Sequence, residues 1–230
     1  MRKFTPYTLI EIMIVMALAA ILVTLALPAF SALMRGNSVG ITCGMIKNTM
    51  DQAQARAITD RKYAATVFDL TGEASGLTDT QAMRNCYISY YAPGSTYSFA
   101  GWMENSQWVK LDQEAQILTW QQDRYGDALG FPTSGSDTPI GPMETIAGVQ
   151  RENGSSSVPL PGIVFSSHGN VCAPNCNMLI GVGEATLVNG NYIYKNPDSS
   201  GRETNIMAVR INHFTGRSQI SLISESGHAE

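Results

Sequence analysis

The first sixty residues of the chain carry two successive patterns of hydrophobic and polar positions, and both are typical of helices. Residues 12–30 contain no charged side chain and a single polar one, Thr24. A helix over these residues measures roughly 28 Å, which is close to the thickness of the hydrocarbon layer of a bilayer. The pattern predicts a transmembrane helix over residues 7–30, with the carboxylate of Glu11 near its start.

An amphipathic pattern follows the apolar run. Apolar residues recur at steps of four and three, which places them on one face of a helix. They are Val39, Cys43, Ile46, Met50, Ala53 and Ala57. We therefore expect one long helix from about residue 7 to residue 58, with its amphipathic half, residues 31–60, packed on another part of the chain. Pro28 removes one backbone donor from this helix, so a break or bend is expected there.

From residue 61 onwards the pattern changes to the alternation and β-branched content typical of strands. Strands are predicted over residues 63–70, 85–91, 97–102, 108–111, 116–120, 163–166, 185–188, 192–194, 206–211 and 219–223. Residues 126–161 are rich in Gly, Pro, Ser and Thr, and we expect a long loop there. A helix followed by many strands predicts an α+β fold, in which the amphipathic half-helix packs on an antiparallel β-sheet within a domain of residues 61–230.

Charge and composition indicate where the chain resides. The 230 residues are 44% hydrophobic and carry a net charge of −4, so the chain has no general attraction for the phosphates of nucleic acids. Arg2 and Lys3 precede the apolar run, and the positive-inside rule places that end in the cytoplasm. We expect a single-pass protein of the bacterial inner membrane with a periplasmic domain. A cleaved secretory signal peptide is the alternative, although residues 28–32 make a mediocre cleavage site.

The four cysteines are even in number, which fits disulfides in an oxidising compartment. Of the three possible pairings, we favour Cys43 with Cys86, joining helix to sheet, and Cys172 with Cys176, closing a short loop. A zinc site formed by the latter two with His168 is the alternative, but a fourth ligand at a recognisable spacing is missing. We expect neither a metal nor a cofactor. The sequence contains none of the common catalytic motifs, so an enzyme is not expected.

The segment Tyr7-Thr8-Leu9-Ile10-Glu11 resembles the start of a type IV pilin. In that family a short basic leader, here residues 1–6, precedes an aromatic residue, Thr-Leu, any residue and Glu. Counted from Tyr7, Glu11 is the fifth residue and Pro28 the twenty-second, as in the family. The resemblance implies that a prepilin peptidase cuts between Pro6 and Tyr7 and methylates the new N terminus. It also implies that Glu11 pairs with the terminal amine of a neighbouring subunit in the filament core.

Later segments resemble the GspH/FimT-type proteins, which are minor pilins or pseudopilins. They are residues 54–58, 62–67, 162–165 with Gly169, and 207–211 followed by Gly216-Arg217. The resemblance implies a subunit of a type IV pilus or of a type II secretion pseudopilus, located near the tip and supporting filament assembly. Its partners would be other pilin or pseudopilin subunits.

Two positions depart from the family pattern. The peptidase normally cuts after glycine, so Pro6 leaves two outcomes open: family-like processing, or retention of the leader in a membrane-anchored monomer. Some FimT-like proteins take part in DNA uptake through a Gly-Arg-x-Arg element, and here Gln219 replaces its second arginine, leaving Arg217 alone. DNA contact by Arg217 therefore stays an alternative, as does recognition of a surface or secretion cargo at the tip through residues 106–161.

Overall fold

The computed structural model describes residues 9–72, 74–77, 80–89, 97–122, 143–152, 154, 156–173, 176–188, 191–195, 197 and 204–222. The chain divides into two compact units, one ending at Asn37 and the other beginning at Ser38. The first unit holds one helix. The second holds a second helix and all of the described strands, so the fold is α+β.

Helix α1, Leu9–Gly36, forms the first unit. Its helical backbone continues through Pro28, and the interruption lies at Asn37 instead. A proline removes only one hydrogen bond from a helix, whereas Gly36 and Gly40, on either side of Asn37, favour the helix least among the residues other than proline. None of the helices in the described part of the chain is both long and apolar enough to cross a membrane. The transmembrane segment predicted over residues 7–30 is not confirmed.

Helix α2, Ser38–Asp60, opens the second unit and carries the predicted apolar stripe. All six residues of the stripe are buried, at 1% exposure or less. The stripe packs on strands of two different sheets, so the prediction of an amphipathic half-helix packed on a sheet is confirmed. The helix ends at Asp60. The next residue, Arg61, has a left-handed φ of 51°, and the Lys62 amide donates to the Ala57 carbonyl at 3.2 Å.

Twelve strands follow in the described residues. They are β1 Ala64–Asp69, β2 Ala82–Ser89, β3 Ser98–Trp102, β4 Val109–Lys110, β5 Ala115–Gln122, β6 Glu144–Gln150, β7 Ser157–Phe165, β8 Val171–Ala173, β9 Met178–Val188, β10 Asn191–Tyr194, β11 Ile206–Ile211 and β12 Ser218–Leu222. Every strand predicted from the sequence overlaps one of these. The positions of β6, β8 and the first half of β9 were not predicted.

The first sheet closes on itself. Strand β1 pairs antiparallel with both β2 and β7, β2 pairs with β3, and β7 pairs with β6. A parallel contact of Ser98 with Ala147 joins β3 to β6 and completes the ring. Side chains on one face of β1, such as Phe68, pack with the α2 stripe, whereas Ala65 and Val67 on the other face belong to a separate apolar cluster inside the ring. Strands β4 and β8 extend this sheet beside β2 and β7.

The second sheet is antiparallel and centred on the long strand β9. Strands β5 and β11 flank its first half, β10 pairs with its second half, and β12 pairs with β11. The face of this sheet that carries Met178, Ile180 and Val209 is buried in the same cluster as the α2 stripe. Helix α2 therefore packs against both sheets.

The expectation of a loop over all of residues 126–161 was wrong where β6 and the start of β7 lie. Pro159 and Pro161 made this stretch look like a loop, but both lie within β7, which has β6 on one side at this end of the strand. A register shift between Ile146 and Val149, with Gly148 at a φ of +76°, interrupts the alternation of β6. Bulges of this kind hide a strand from a period-two pattern.

Gln81, fully buried just before β2, joins the two sheets by hydrogen bonds. Its side-chain amide donates to the Ile117 carbonyl at 3.1 Å and to the Tyr192 hydroxyl at 2.8 Å. Its side-chain carbonyl accepts from the Ile117 amide at 2.7 Å. Burial raises the pKa of Tyr192 to about 12, so this hydroxyl is neutral at physiological pH and the network carries no charge.

We predict that Gln81→Ala lowers the free energy of unfolding by about 3 kcal/mol, because it leaves buried groups of Ile117 and Tyr192 without partners. Denaturant unfolding of the full-length protein in detergent measures this loss. The control is Gln219→Ala, which alters an exposed glutamine in β12 and should change the stability by less than about 0.5 kcal/mol. Equal effects of the two substitutions would contradict the prediction.

Candidate functional site

Helix α1 presents apolar side chains around its whole circumference. Every residue from 9 to 24 is exposed, and the eleven large apolar side chains between Leu9 and Val23 are each at least 50% exposed. Burial of one such side chain stabilises by about 1.5–3 kcal/mol. The surface of α1 therefore has a strong tendency to associate with another apolar surface.

Glu11 lies in the first turn of α1 with Ile10 and Ile12 beside it, both exposed. A carboxylate near the start of a helix is favoured by the helix dipole. Within an apolar assembly the same carboxylate is costly unless it has a partner. The predicted cleavage and methylation site, Pro6 and Tyr7, lies outside the described residues.

All four cysteines are free thiols, and the predicted pairing of Cys43 with Cys86 is wrong. On β2 the Asn85 side chain points to α2, where its amide donates to the Thr49 carbonyl at 2.8 Å. Because successive side chains of a strand point to opposite faces, Cys86 points away from α2 and into the ring, whereas Cys43 lies in the cluster around α2.

The predicted bridge between Cys172 and Cys176 is wrong for a related reason. Cys172 lies in β8 and packs against the cluster inside the ring, whereas Cys176 packs against the cluster around α2, with its sulfur 3.9 Å from that of Met178. The two thiols therefore belong to different apolar clusters. Among the described residues, no group of three or more His, Cys, Asp or Glu side chains is placed to hold a metal ion.

Arg217 is exposed at the end of the turn between β11 and β12. Its backbone carbonyl accepts from the Asn212 amide at 3.0 Å, which closes the turn. Gln219, at the position of the second arginine of the family element, lies opposite Arg210 in the ladder. The arrangement explains Arg217 as part of an ordinary strand-connecting turn.

Gln54 of α2 contacts two turns, one at Gly169 and the other at Thr215 and Gly216. The side-chain amide of Gln54 donates to the Gly169 carbonyl at 2.7 Å and to the Thr215 carbonyl at 2.6 Å. One side chain of α2 thus holds two turns, which precede β8 in the first sheet and β12 in the second. Sequence reasoning missed this contact, because Gln54 is more than a hundred residues away from both turns.

Two glycines make this contact possible. Gly169 and Gly216 have φ values of +87° and +64°, which glycine adopts readily. A Cβ on Gly216 would lie 2.0 Å from the Gly169 carbonyl oxygen, and one on Gly169 would lie 2.7 Å from the Ile58 Cδ1 atom. Glycine is therefore favoured at both positions by conformation, and at Gly216 it is also required for space, because the close atom there belongs to the backbone.

A cleft with a volume of about 410 Å³ lies between α2 and the turn at residues 103–106. Arg56 lines it from the helix and Glu104 from the turn. Sequence reasoning missed this site, since the two charged residues belong to distant segments and neither carries a motif.

No family model matches this chain, and no curated protein matches it. Among solved structures, the chain is similar to the crystal structure of the type IV minor pilin FimU of Pseudomonas aeruginosa, with a TM-score of 0.35 and 11% sequence identity. The match covers 84% of this chain and 93% of FimU. At this level of similarity no function is transferred from FimU.

We predict that Gly216→Ala destabilises the protein by at least about 2 kcal/mol more than Gly76→Ala. Gly76 has a similar φ of +70°, but a Cβ there meets nothing within 4 Å, so it reports the conformational strain alone, about 1 kcal/mol. Thermal unfolding of the two full-length variants measures the difference. Equal losses would show that the close approach of the two turns is absent.

The cysteines should differ in reactivity, because the thiolate is the reactive form. Burial raises the pKa of Cys43 and Cys86 to about 12 and that of Cys172 to about 11, and it also raises the pKa of Cys176. We expect iodoacetamide at pH 8.5, without reductant, to label half-exposed Cys176 first and Cys43 and Cys86 only after unfolding. Peptide mass spectrometry measures the order. Cysteines that stay unlabelled after unfolding would indicate disulfides.

Proposed function

We propose that this chain is a minor subunit of a pilin-type filament, and that α1 is the element by which it enters the filament. The observation that carries the proposal is that all eleven large apolar side chains of α1 from Leu9 to Val23 are at least 50% exposed. A helix that is apolar all round is stable in water only when other molecules cover it. The α1 helices of neighbouring subunits supply such a cover, with each helix burying the next.

The resemblance to GspH/FimT proteins supports a minor role rather than that of the main building block. The resembling segments contribute Gln54, Gly169 and Gly216, which lie together in one contact. Either a type IV pilus or a type II secretion pseudopilus accommodates such a subunit near its tip. We propose that it supports filament assembly through contacts with other pilin subunits.

Before assembly, we propose, the subunit is held in the bacterial inner membrane. The absence of charged side chains from residues 12–30, with Arg2 and Lys3 ahead of them, supports this location and, by the positive-inside rule, favours a periplasmic second unit. The prepilin peptidase cuts between Pro6 and Tyr7 and methylates the new terminus. The mass of the N-terminal peptide of the native protein tests this step. A methylated Tyr7 is expected, and an intact leader would contradict it.

Glu11 sets the axial position of the subunit in this proposal. In the apolar filament core its carboxylate pairs with the terminal amine of a neighbouring subunit. Such a buried pair adds little net stability, but breaking it leaves one charge without compensation. The pair therefore selects one register of the helices over others, which apolar contacts alone do not distinguish.

We predict that Glu11→Ala leaves the protein abundant but largely absent from filaments. Removal of one partner of a buried ion pair costs about 3–5 kcal/mol, and the second unit does not contain Glu11, so its folding should be unchanged. The measurement is the amount of the chain in sheared filaments relative to the amount in whole cells.

The matched control is Glu144→Ala, which removes an exposed carboxylate from β6 in the second unit. It should enter filaments as well as the wild type does. If Glu11→Ala also assembled normally, the pairing mechanism would be rejected, and a membrane-anchored monomer would become the better account.

A further inference from the structure

The cleft between α2 and the turn at residues 103–106 has one wall made of helix. Gln52, Ala55, Arg56 and Thr59 line this wall and follow one another along the outer face of α2. At about 1.5 Å per residue the wall is roughly 10 Å long. An extended chain of about three residues, at about 3.3 Å each, has the same length.

The opposite wall is a turn, residues 103–106, that hydrogen bonds within the chain hold in place. The Ser106 amide donates to the Met103 carbonyl at 3.1 Å, and the Ser106 hydroxyl donates to the Asn85 carbonyl at 3.0 Å. The Met103 amide donates to that same carbonyl at 3.3 Å. These bonds hold the turn against β2. A preformed site binds its partner with a smaller entropic cost than a mobile one.

Asn105, at the rim of this wall, has a φ of 60°. Asparagine is one of the few residue types that adopt this conformation readily. Asn105 lines the cleft, where its side-chain amide is available to a bound molecule.

Charged groups of opposite sign line the two walls. Arg56 and Glu104 are both exposed, and within the described part of the chain neither makes an ion pair or a hydrogen bond. They are therefore available to a carboxylate on the helix side and an ammonium or guanidinium group on the turn side. Met103, which is 5% exposed, and Ala55 supply apolar surface between them.

The remaining lining groups suit a polypeptide backbone. Gln52 and Asn105 each offer an amide that donates and accepts, and neither has a hydrogen-bond partner among the residues that the structure describes. A peptide group needs one donor and one acceptor of this kind. A free amino acid would satisfy the two charges but would leave most of the helix wall uncovered.

We propose that this cleft binds an extended segment of about three residues from a neighbouring filament subunit, with an acidic side chain at Arg56 and a basic one at Glu104. This inference rests on the proposed function, because it names the contact by which the second unit holds the next subunit. The contact itself involves only residues of the second unit and neither Glu11 nor α1.

Charge reversal in the full-length protein tests the proposal. Arg56→Glu and Glu104→Lys should each lower the amount in sheared filaments about tenfold, because a like charge now faces the partner. The matched controls are Lys110→Glu and Glu144→Lys, which reverse exposed charges outside the cleft and should have no effect. Equal thermal stability of all four variants shows that folding is retained.

A photoreactive benzoylphenylalanine at position 52 gives an independent readout. It should form a covalent adduct with another pilin-type subunit at least about five times more often than the same group at Ile193, an exposed position in β10. An adduct frequency equal at both positions, or filament entry of both reversals at the wild-type level, would overturn the proposal. Absence of the wild-type chain from filaments would instead refute the proposed function.

Discussion

The packing of one apolar stripe of α2 determines the arrangement of the second unit. Ile46, Met50, Ala53 and Ala57 are fully or almost fully buried and contact strands of both sheets. The ring sheet and the sheet around β9 are therefore held on a common support. Hydrogen bonds also join α2 to both sheets. Gln54 of α2 donates to turns that precede strands of each sheet, and Ser218 of β12 donates to Asp51 of α2 at 2.6 Å.

Local sequence pattern predicted α2 and most of the strands. The α2 stripe follows a period of 3.6 residues, and the strands β1, β10, β11 and β12 fall where strands were expected, although β1 is buried on both faces. The first half of β9 was missed because it is also buried on both faces, so alternation is absent, and because it contains two glycines, Gly181 and Gly183. Strand β6 was missed because a bulge and Gly148 interrupt its pattern. The interruption of the helix at Asn37 was missed because a break was expected at Pro28, and no proline marks residue 37.

The candidate sites that depend on neighbours in sequence could be predicted, whereas those that join distant segments could not. The apolar surface of α1 and the place of Glu11 could be read from the chain, since each depends on neighbours in sequence. The pairing of Cys43 with Cys86 was predicted wrongly, because the choice of face on β2 depends on its register with β1. The Gln54 contacts and the cleft at Arg56 join segments far apart in the chain, and nothing local indicates them.

In the assembled state that we propose, other subunits cover α1. The most direct measurement is the fate of the wild-type chain when cells are extracted with detergent and filaments are collected by sedimentation. Detergent removes lipid from an apolar helix but leaves contacts between subunits in a filament. We expect a fraction of the chain to sediment with the filaments. Recovery of the entire chain as a detergent-soluble monomer, from cells that make intact filaments, would contradict the account.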